Sequence, residues 1–311
     1  MAHPRTFRFG VQVASAPDGA SWRSVARHAE DLGYATLFLP DHFGDQLAPM
    51  PAMAAAAEAT TELRVGALVL DNDYKHPVVT AKELATIDLL SGGRLEVGLG
   101  AGWMRTDYEQ SGIAYDRPGV RIDRFEEALT IIKGLFGSGP VTHTGEHYTV
   151  TGLEGFPKPV QQPPPFLIGA GGPRMLALAA READIVGVNP SLASGEIDAS
   201  TAADAMAEAY DAKIATLRAA AGDRFDDLEL NALVFFVSIT DDQLGTASMV
   251  APMFGVGPEA LVASPATLVG SVEQICDELQ ARRERWGLSY IVVQADALDA
   301  MAPIIDRLAG T

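Results

Sequence analysis

Sulfur bridges are the first thing this chain lacks. Its 311 residues hold one cysteine, Cys276, which excludes a disulfide framework and any structural zinc site built on cysteines. Positive charge is also scarce, with 23 Lys and Arg against 41 Asp and Glu and a formal net charge of −18. Nucleic acids and anionic lipid surfaces select basic faces, so neither is expected as the main partner. No run approaches the ~18 unbroken apolar residues of a membrane span. The opening Met1-Ala2-His3-Pro4-Arg5 leads into an alternating segment and has no apolar stretch of the signal-peptide kind. Disorder is excluded too, because 48% of the residues are hydrophobic and 21% charged, enough to bury a large core. A globular, cytoplasmic protein is expected.

What the chain does have is a rhythm. Phe7, Phe9, Val11 and Val13 alternate with Arg8, Gly10 and Gln12, the period of a strand. Ser21 is placed to cap a helix that carries Trp22, Val25, Ala26, Ala29 and Leu32 on one stripe and ends at Gly33. An apolar run over 35–39 closes at Pro40. Next come a helix over 53–60, a strand over 63–70, a helix from Pro77 to Leu90, and a strand over 94–99. The alternation then breaks. Residues 104–165 read as a helix (Ile122, Phe125, Leu129, Ile132, Phe136), a hairpin over 140–150 and a Pro-rich return, inserted between strands four and five.

Strands resume at 166–168, 183–188, 228–237 and 288–293, with helices between and after them. Helical material fills 241–262, and Ser271 with Gln274 forms a capping box. An open doubly wound sheet could hold as many elements. Yet no linker divides the chain, and eight strand–helix units in right-handed series close naturally. The expected fold is therefore α/β: a (β/α)8 TIM barrel forming a single domain over 1–311. Its site should lie at the C-terminal strand ends.

That rule selects few segments. Asp41-His42 follows strand two, where an imidazole can act as an acid, a base or a hydrogen-bond donor; a surface histidine beside a turn-capping Asp41 is the plainer alternative. Gly98-Leu99-Gly100-Ala101-Gly102-Trp103 follows strand four and reads either as a turn or as space cleared for a flat ligand. Strand five ends in Gly169-Ala170-Gly171-Gly172-Pro173-Arg174 before a helix. Its amides can receive a phosphate with help from Arg174, although a tight turn uses glycine equally well. His143-Thr144-Gly145-Glu146-His147 matches a zinc-protease spacing, but that chemistry needs a helix and these residues spell a hairpin, so no metal is expected. Cys276 reads as a buried helix residue, and no GxSxG elbow supports a serine nucleophile.

Taken in order, Asp41-His42-Phe43, the stretch Arg64 to Leu70, His76-Pro77 and Ser91 to Trp103 resemble the bacterial luciferase-like flavin and deazaflavin oxidoreductases. Pro157 to Gln161, Ile168 to Pro173 and Ala183 to Val186 continue the match, and Arg282 to Tyr290 looks like the actinobacterial branch assigned to coenzyme F420, a 5-deazaflavin. The resemblance covers most of the chain and implies a barrel with an insertion. It implies that Gly169, Ala170, Gly171 and Gly172 hold the cofactor phosphate. It also implies a non-prolyl cis peptide within Ala67-Leu68-Val69 supporting the ring, with Gly100, Ala101 and Gly102 bordering it. His42, with Asp41, would face the reacting atoms.

The implied activity is hydride transfer between F420 and a small organic substrate, with reduced flavin mononucleotide (FMN) and a monooxygenase reaction as the alternative. A homodimer is usual in such families and is expected here. The sugar-phosphate dehydrogenases of this family carry a Glu where Trp103 stands, and an indole cannot serve as that acid. Oxidation of glucose 6-phosphate is therefore disfavoured.

Overall fold

The computed structural model describes residues 5–311; Met1 to Pro4, part of the opening read above, lie outside the described residues. Eight parallel strands close into a barrel: β1 (Arg8–Gln12), β2 (Thr36–Leu39), β3 (Arg64–Ala67), β4 (Leu95–Gly100), β5 (Phe166–Ala170), β6 (Ile185–Val188), β7 (Glu229–Val234) and β8 (Leu288–Gln294). Neighbours pair in sequence order, β8 pairs with β1, and β3 pairs with β4 through Val65 with Leu95 and Gly66 with Glu96, so no open edge remains in the ring. Outside it lie α1 (Gly19–Asp31), α2 (Pro49–Ala59), α3 (Pro77–Leu90), α4 (Pro118–Phe136), α5 (Pro173–Glu182), α6 (Ala207–Ala221), α7 (Val272–Trp286) and α8 (Ala302–Leu308). The fold is the TIM barrel that the alternation predicts.

Local chemistry explains the boundaries. Asp18, not Ser21, caps α1, its carboxylate accepting the Ser21 amide at 2.7 Å. Pro49 starts α2 four residues earlier than the apolar pattern suggests, because proline needs no amide partner in a first turn. Ser271 and Gln274 cap α7 reciprocally, as their spacing predicts. Between β4 and β5 stand a short helix (Arg105–Ser111), α4, and an antiparallel hairpin of Pro140–Thr144 with Thr149–Glu154.

Two strands are shorter than their apolar runs. The strand expected over 228–237 stops at Val234. Its continuation, Phe236–Ile239, leaves the barrel to pair in parallel with Thr267–Gly270, a strand absent from the expected elements. Likewise the run over 63–70 breaks after Ala67 and resumes at Leu70–Asp71.

Inward-facing residues fill the barrel in layers. At the floor, the Arg8 guanidinium donates to Glu96 at 2.9 Å and to Glu229 at 2.9 and 2.7 Å; Arg64 donates to Glu96 at 2.9 Å, as does the Tyr290 hydroxyl at 3.1 Å. Above it pack Phe38, Leu68, Leu167, Ile185, Tyr290 and Val292. These side chains fill the barrel interior between the ion-paired floor and the C-terminal rim. No helix among the described residues is long and apolar enough to cross a membrane.

Candidate active site at the barrel mouth

His42 stands on the loop after β2 and is anchored by a residue from across the rim. Its Nδ1 lies 2.7 Å from Oδ2 of Asp107, on the short helix Arg105–Ser111. The same oxygen accepts the Tyr74 hydroxyl at 2.9 Å, and Oδ1 accepts the Phe43 amide at 3.3 Å. An ionised carboxylate only accepts, so Nδ1 of a neutral His42 carries the proton and Nε2 is left with its lone pair. Nε2 makes no hydrogen bond among the described residues. Trp103 packs edge-on to the imidazole, ring centres 5.5 Å apart at 87°.

Asp41 does a different job. Its carboxylate accepts the Asp71 amide at 3.0 Å and thereby ties the loop after β2 to the loop after β3. Burial pushes its pKa up. Beside it, burial together with the charges of Asp73 and Asp41 pushes Asp71 up to about 7. The Tyr108 hydroxyl sits between Asp71, at 2.9 Å, and Asp73, at 3.1 Å. Burial and these carboxylates raise the Tyr108 pKa.

The break in β3 is a backbone bulge at the mouth. The Leu68 amide donates to Leu39 O at 2.8 Å, and Gln12 Nε2 donates to Leu68 O at 2.7 Å, with Gln294 Nε2 in turn donating to Gln12 Oε1 at 3.0 Å. The Leu68–Val69 peptide is cis, at the position that the resemblance implies. Strand β4 must pass close to this bulge. A Cβ on Gly98 would lie 1.7 Å from the Ala67 carbonyl oxygen, and one on Gly100 would lie 2.7 Å from Val69 Cγ2.

Gly100, Ala101 and Gly102 stand at the end of β4, where the resemblance implies the border of a ring. A Cβ on Gly100 would meet Val69, and one on Gly102 would lie 1.9 Å from Tyr108 Oη, so close protein neighbours favour glycine at both positions. Gly102 also has φ +74°, which favours glycine. The Ala101 carbonyl is held by Arg121 at 3.3 Å. Arg174 was expected to assist the loop after β5. It turns outward instead, to the Gly119 carbonyl at 3.1 Å and to Asp123.

In that loop, Gly169 and Ala170 end β5, and Gly171 packs so tightly against the Pro190 carbonyl that a Cβ would lie 2.5 Å from its oxygen. Gly172 is the N-cap of α5, with Pro173 following it and no side chain capping the first turn. Lys213, buried, fixes the loop by donating to Gly171 O at 3.0 Å and to Asp204 at 2.5 Å.

Asp41, His42, Ala67 to Val69, Gly100 to Gly102 and Gly169 to Gly172 thus stand at the C-terminal ends of four adjacent strands, β2 to β5. By contrast, the histidines of the 143–147 segment are not gathered: His143 lies 3.3 Å from Glu127, whose carboxylate also accepts the amides of Glu146, His147 and Tyr148. Among the described residues no group of three or more His, Cys, Asp or Glu is placed to hold a metal ion. Cys276 is buried.

Sequence reasoning missed Asp107, Asp71, Tyr74 and Tyr108, whose roles come from loops meeting in space. It also missed Gln12 and Asn231, polar residues within β1 and β7, the strands that also carry Arg8 and Glu229. Asn231 is fully buried and its Oδ1 has no partner. An orphaned buried acceptor beside an open, glycine-lined rim with an uncapped helix start fits a planar, hydrogen-bonding ring with an anionic tail.

The fold is a TIM barrel whose C-terminal rim gathers His42, Asp107, Asp71 and Tyr108. Residues 6–290 match the family described as luciferase-like monooxygenase, and the chain belongs to that family. Among curated relatives it is 31% identical over 167 residues to the F420-dependent glucose-6-phosphate dehydrogenase of Amycolatopsis mediterranei (51% of this chain, 50% of the relative). It is also 31% identical over 185 residues to the 5,10-methylenetetrahydromethanopterin reductase of Archaeoglobus fulgidus (59% and 53%). The matched region therefore spans about half the length of these relatives. A solved F420-dependent secondary alcohol dehydrogenase, in complex with an F420-acetone adduct, shares the fold at TM-score 0.77 and 18% identity, with 98% of each chain covered.

Proposed function

We propose that this protein is an F420-dependent oxidoreductase that moves a hydride between the deazaflavin and a small organic substrate at the barrel mouth. The observation that carries the reading is His42: a ring held by Asp107 in one orientation at a strand end, with its other nitrogen unengaged. The names of the matched relatives, F420-dependent dehydrogenase among them, support the choice of cofactor.

Bound F420 supplies a carbon, C5, that takes or gives a hydride. The chain supplies the rest. Leu68 and Val69, fixed through Gln12, would form the wall supporting the ring. Gly169 to Gly172 and the uncapped start of α5 offer main-chain amides to a phosphate. His42 Nε2 takes the proton from a substrate hydroxyl as the hydride leaves, or returns it in the reverse direction. The cations near the rim are engaged: Lys75 with Glu83, Arg105 with Glu196, and Arg121 with backbone carbonyls. This favours a substrate without a phosphate, in keeping with Trp103 where the sugar-phosphate dehydrogenases carry Glu.

The family description itself favours a second reading, a monooxygenase using reduced FMN and oxygen. Titrating F420 and FMN separately while following their visible absorbance decides between them. Saturable binding of F420 with at least about tenfold preference over FMN is expected; the opposite preference supports the monooxygenase. A homodimer belongs to the same proposal, and sedimentation equilibrium tests it.

A further inference from the structure

Gly169, Gly187 and Asn231 stand abreast on β5, β6 and β7, Gly169 paired with Gly187 and Gly187 with Asn231. The two glycines leave the inner wall bare at this level, and two carboxamides converge on the bare patch. The position of a Cβ on Gly187 lies 3.6 Å from Asn231 Oδ1 and 3.6 Å from Asn189 Nδ2, while that of Gly169 lies 3.5 Å from Asn189 Nδ2 and from Val69 Cγ2. The orientation of Asn231 is fixed, because its Nδ2 donates to Tyr290 O at 3.0 Å and its Oδ1 must face the other way. That oxygen is fully buried with no partner, and the Asn189 carboxamide makes no hydrogen bond among the described residues.

We propose that this pair reads the imide edge of a pyrimidinedione ring, Asn231 Oδ1 accepting the imide N–H and the Asn189 carboxamide donating to a flanking carbonyl. The chemistry selects the ligand class. A buried acceptor without a partner calls for a donor, so a carboxylate or phosphate, which only accepts, is excluded from this spot. An imide presents acceptor, donor and acceptor along one flat edge. The inference rests on the cofactor reading above and extends it, since it names the residues that orient the ring. It applies to the shared pyrimidinedione of deazaflavins and flavins alike. It also gives the bare glycine wall a purpose other than turn formation.

The test uses the whole protein and two probes, the 8-hydroxy-5-deazaflavin chromophore of F420 and its N3-methyl derivative, in parallel fluorescence titrations with F420 as reference. N3-methylation removes the donor, and weakening by about tenfold or more is expected against the wild type. The same comparison on Asn231→Leu should show little discrimination. Because the probe comparison on the wild type needs no variant, a folding defect in Asn231→Leu does not blunt it. Equal affinity for the two probes, with F420 itself bound, overturns this inference alone and leaves a trapped water as the partner of Asn231. Absence of binding by F420 and by both chromophores overturns the inference together with the cofactor reading.

Discussion

The Asp107 carboxylate is met by three donors, from His42, Tyr74 and Phe43, and this saturation makes it hard to replace. An asparagine has one acceptor oxygen. Whichever way it turns, its NH2 group faces either the Phe43 amide or the imidazole, and the latter reverses the His42 tautomer. Asp107→Asn should therefore lower kcat by roughly 10²-fold while KM and F420 affinity change little. The 15N spectrum of the His42 ring should move from the Nδ1–H towards the Nε2–H tautomer. An unchanged tautomer with unchanged kcat would make Asp107 a scaffold residue only. His42→Ala should lose turnover by at least as much, again with F420 affinity nearly intact.

Asp71 gives a second prediction at this scale. Its pKa in the fold, about 7, lies above the ordinary aspartate range, so the folded protein holds a proton that the unfolded chain releases. The associated stability is complete below about pH 4 and is lost as pH rises through 7, on the order of a few kcal/mol. Urea unfolding of Asp71→Asn across that range should show a flatter pH dependence than the wild type. Parallel curves would contradict the assignment. The roles of Asp107 and Asp71 were not readable in the sequence. His42 and Asp41 were legible because they follow an apolar run at a strand end, whereas Asp107 lies 65 residues away in sequence and reaches His42 only through closure of the ring.

Elements were legible wherever their own residues decide them. The alternation of Phe7 to Val13, the Pro77 start and the Ser271/Gln274 box each specify an element without help from elsewhere. Reading failed where a partner decides. Phe235 to Val237 continue the apolar run of β7, yet the chain leaves the barrel because Thr267–Gly270 offers Phe236–Ile239 a separate ladder. The spacing of Gly98 and Gly100 looks like a turn signature but answers to the bulge of β3 beside it. Gly98→Ala would drive a Cβ into the Ala67 carbonyl, a backbone group that cannot swing aside. A loss of about 3 kcal/mol or more in urea unfolding is expected, with F420 binding weakened in whatever fraction folds. Gly44→Ala, with nothing within 4 Å of its Cβ, should stay within about 1 kcal/mol of wild type. Similar stabilities for both variants would show that the bulge and β4 are not in close register.

For the whole molecule, the barrel separates stability from function along its axis. The Arg8, Glu96, Glu229 and Arg64 network with Tyr290 holds the floor, and the side chains above it fill the interior. Glu96 is fully desolvated there and serves two guanidinium groups, so Glu96→Ala leaves both without its charge. Destabilisation of about 3 kcal/mol or more is expected by urea unfolding, without a change in F420 affinity of the folded fraction. The eight units were readable from the rhythm, because a barrel repeats one local pattern, and closure was readable only with the further observation that no linker divides the chain. Its chemistry was readable only in outline, because the rim is assembled from loops that carry no period.

The most direct measurement is an equilibrium titration of F420, followed by its own fluorescence, on the wild type and on Gly169→Val. A Cβ on Gly169 would lie 3.5 Å from Val69 Cγ2 and from Asn189 Nδ2, so the γ-methyls of valine press on two side chains at the mouth and not on backbone. Saturation at one F420 per chain in the wild type, with affinity reduced about tenfold or more in the variant, is the predicted result. No saturable binding to the wild type, or binding indifferent to Gly169→Val, would contradict placement of the deazaflavin at the mouth of this barrel.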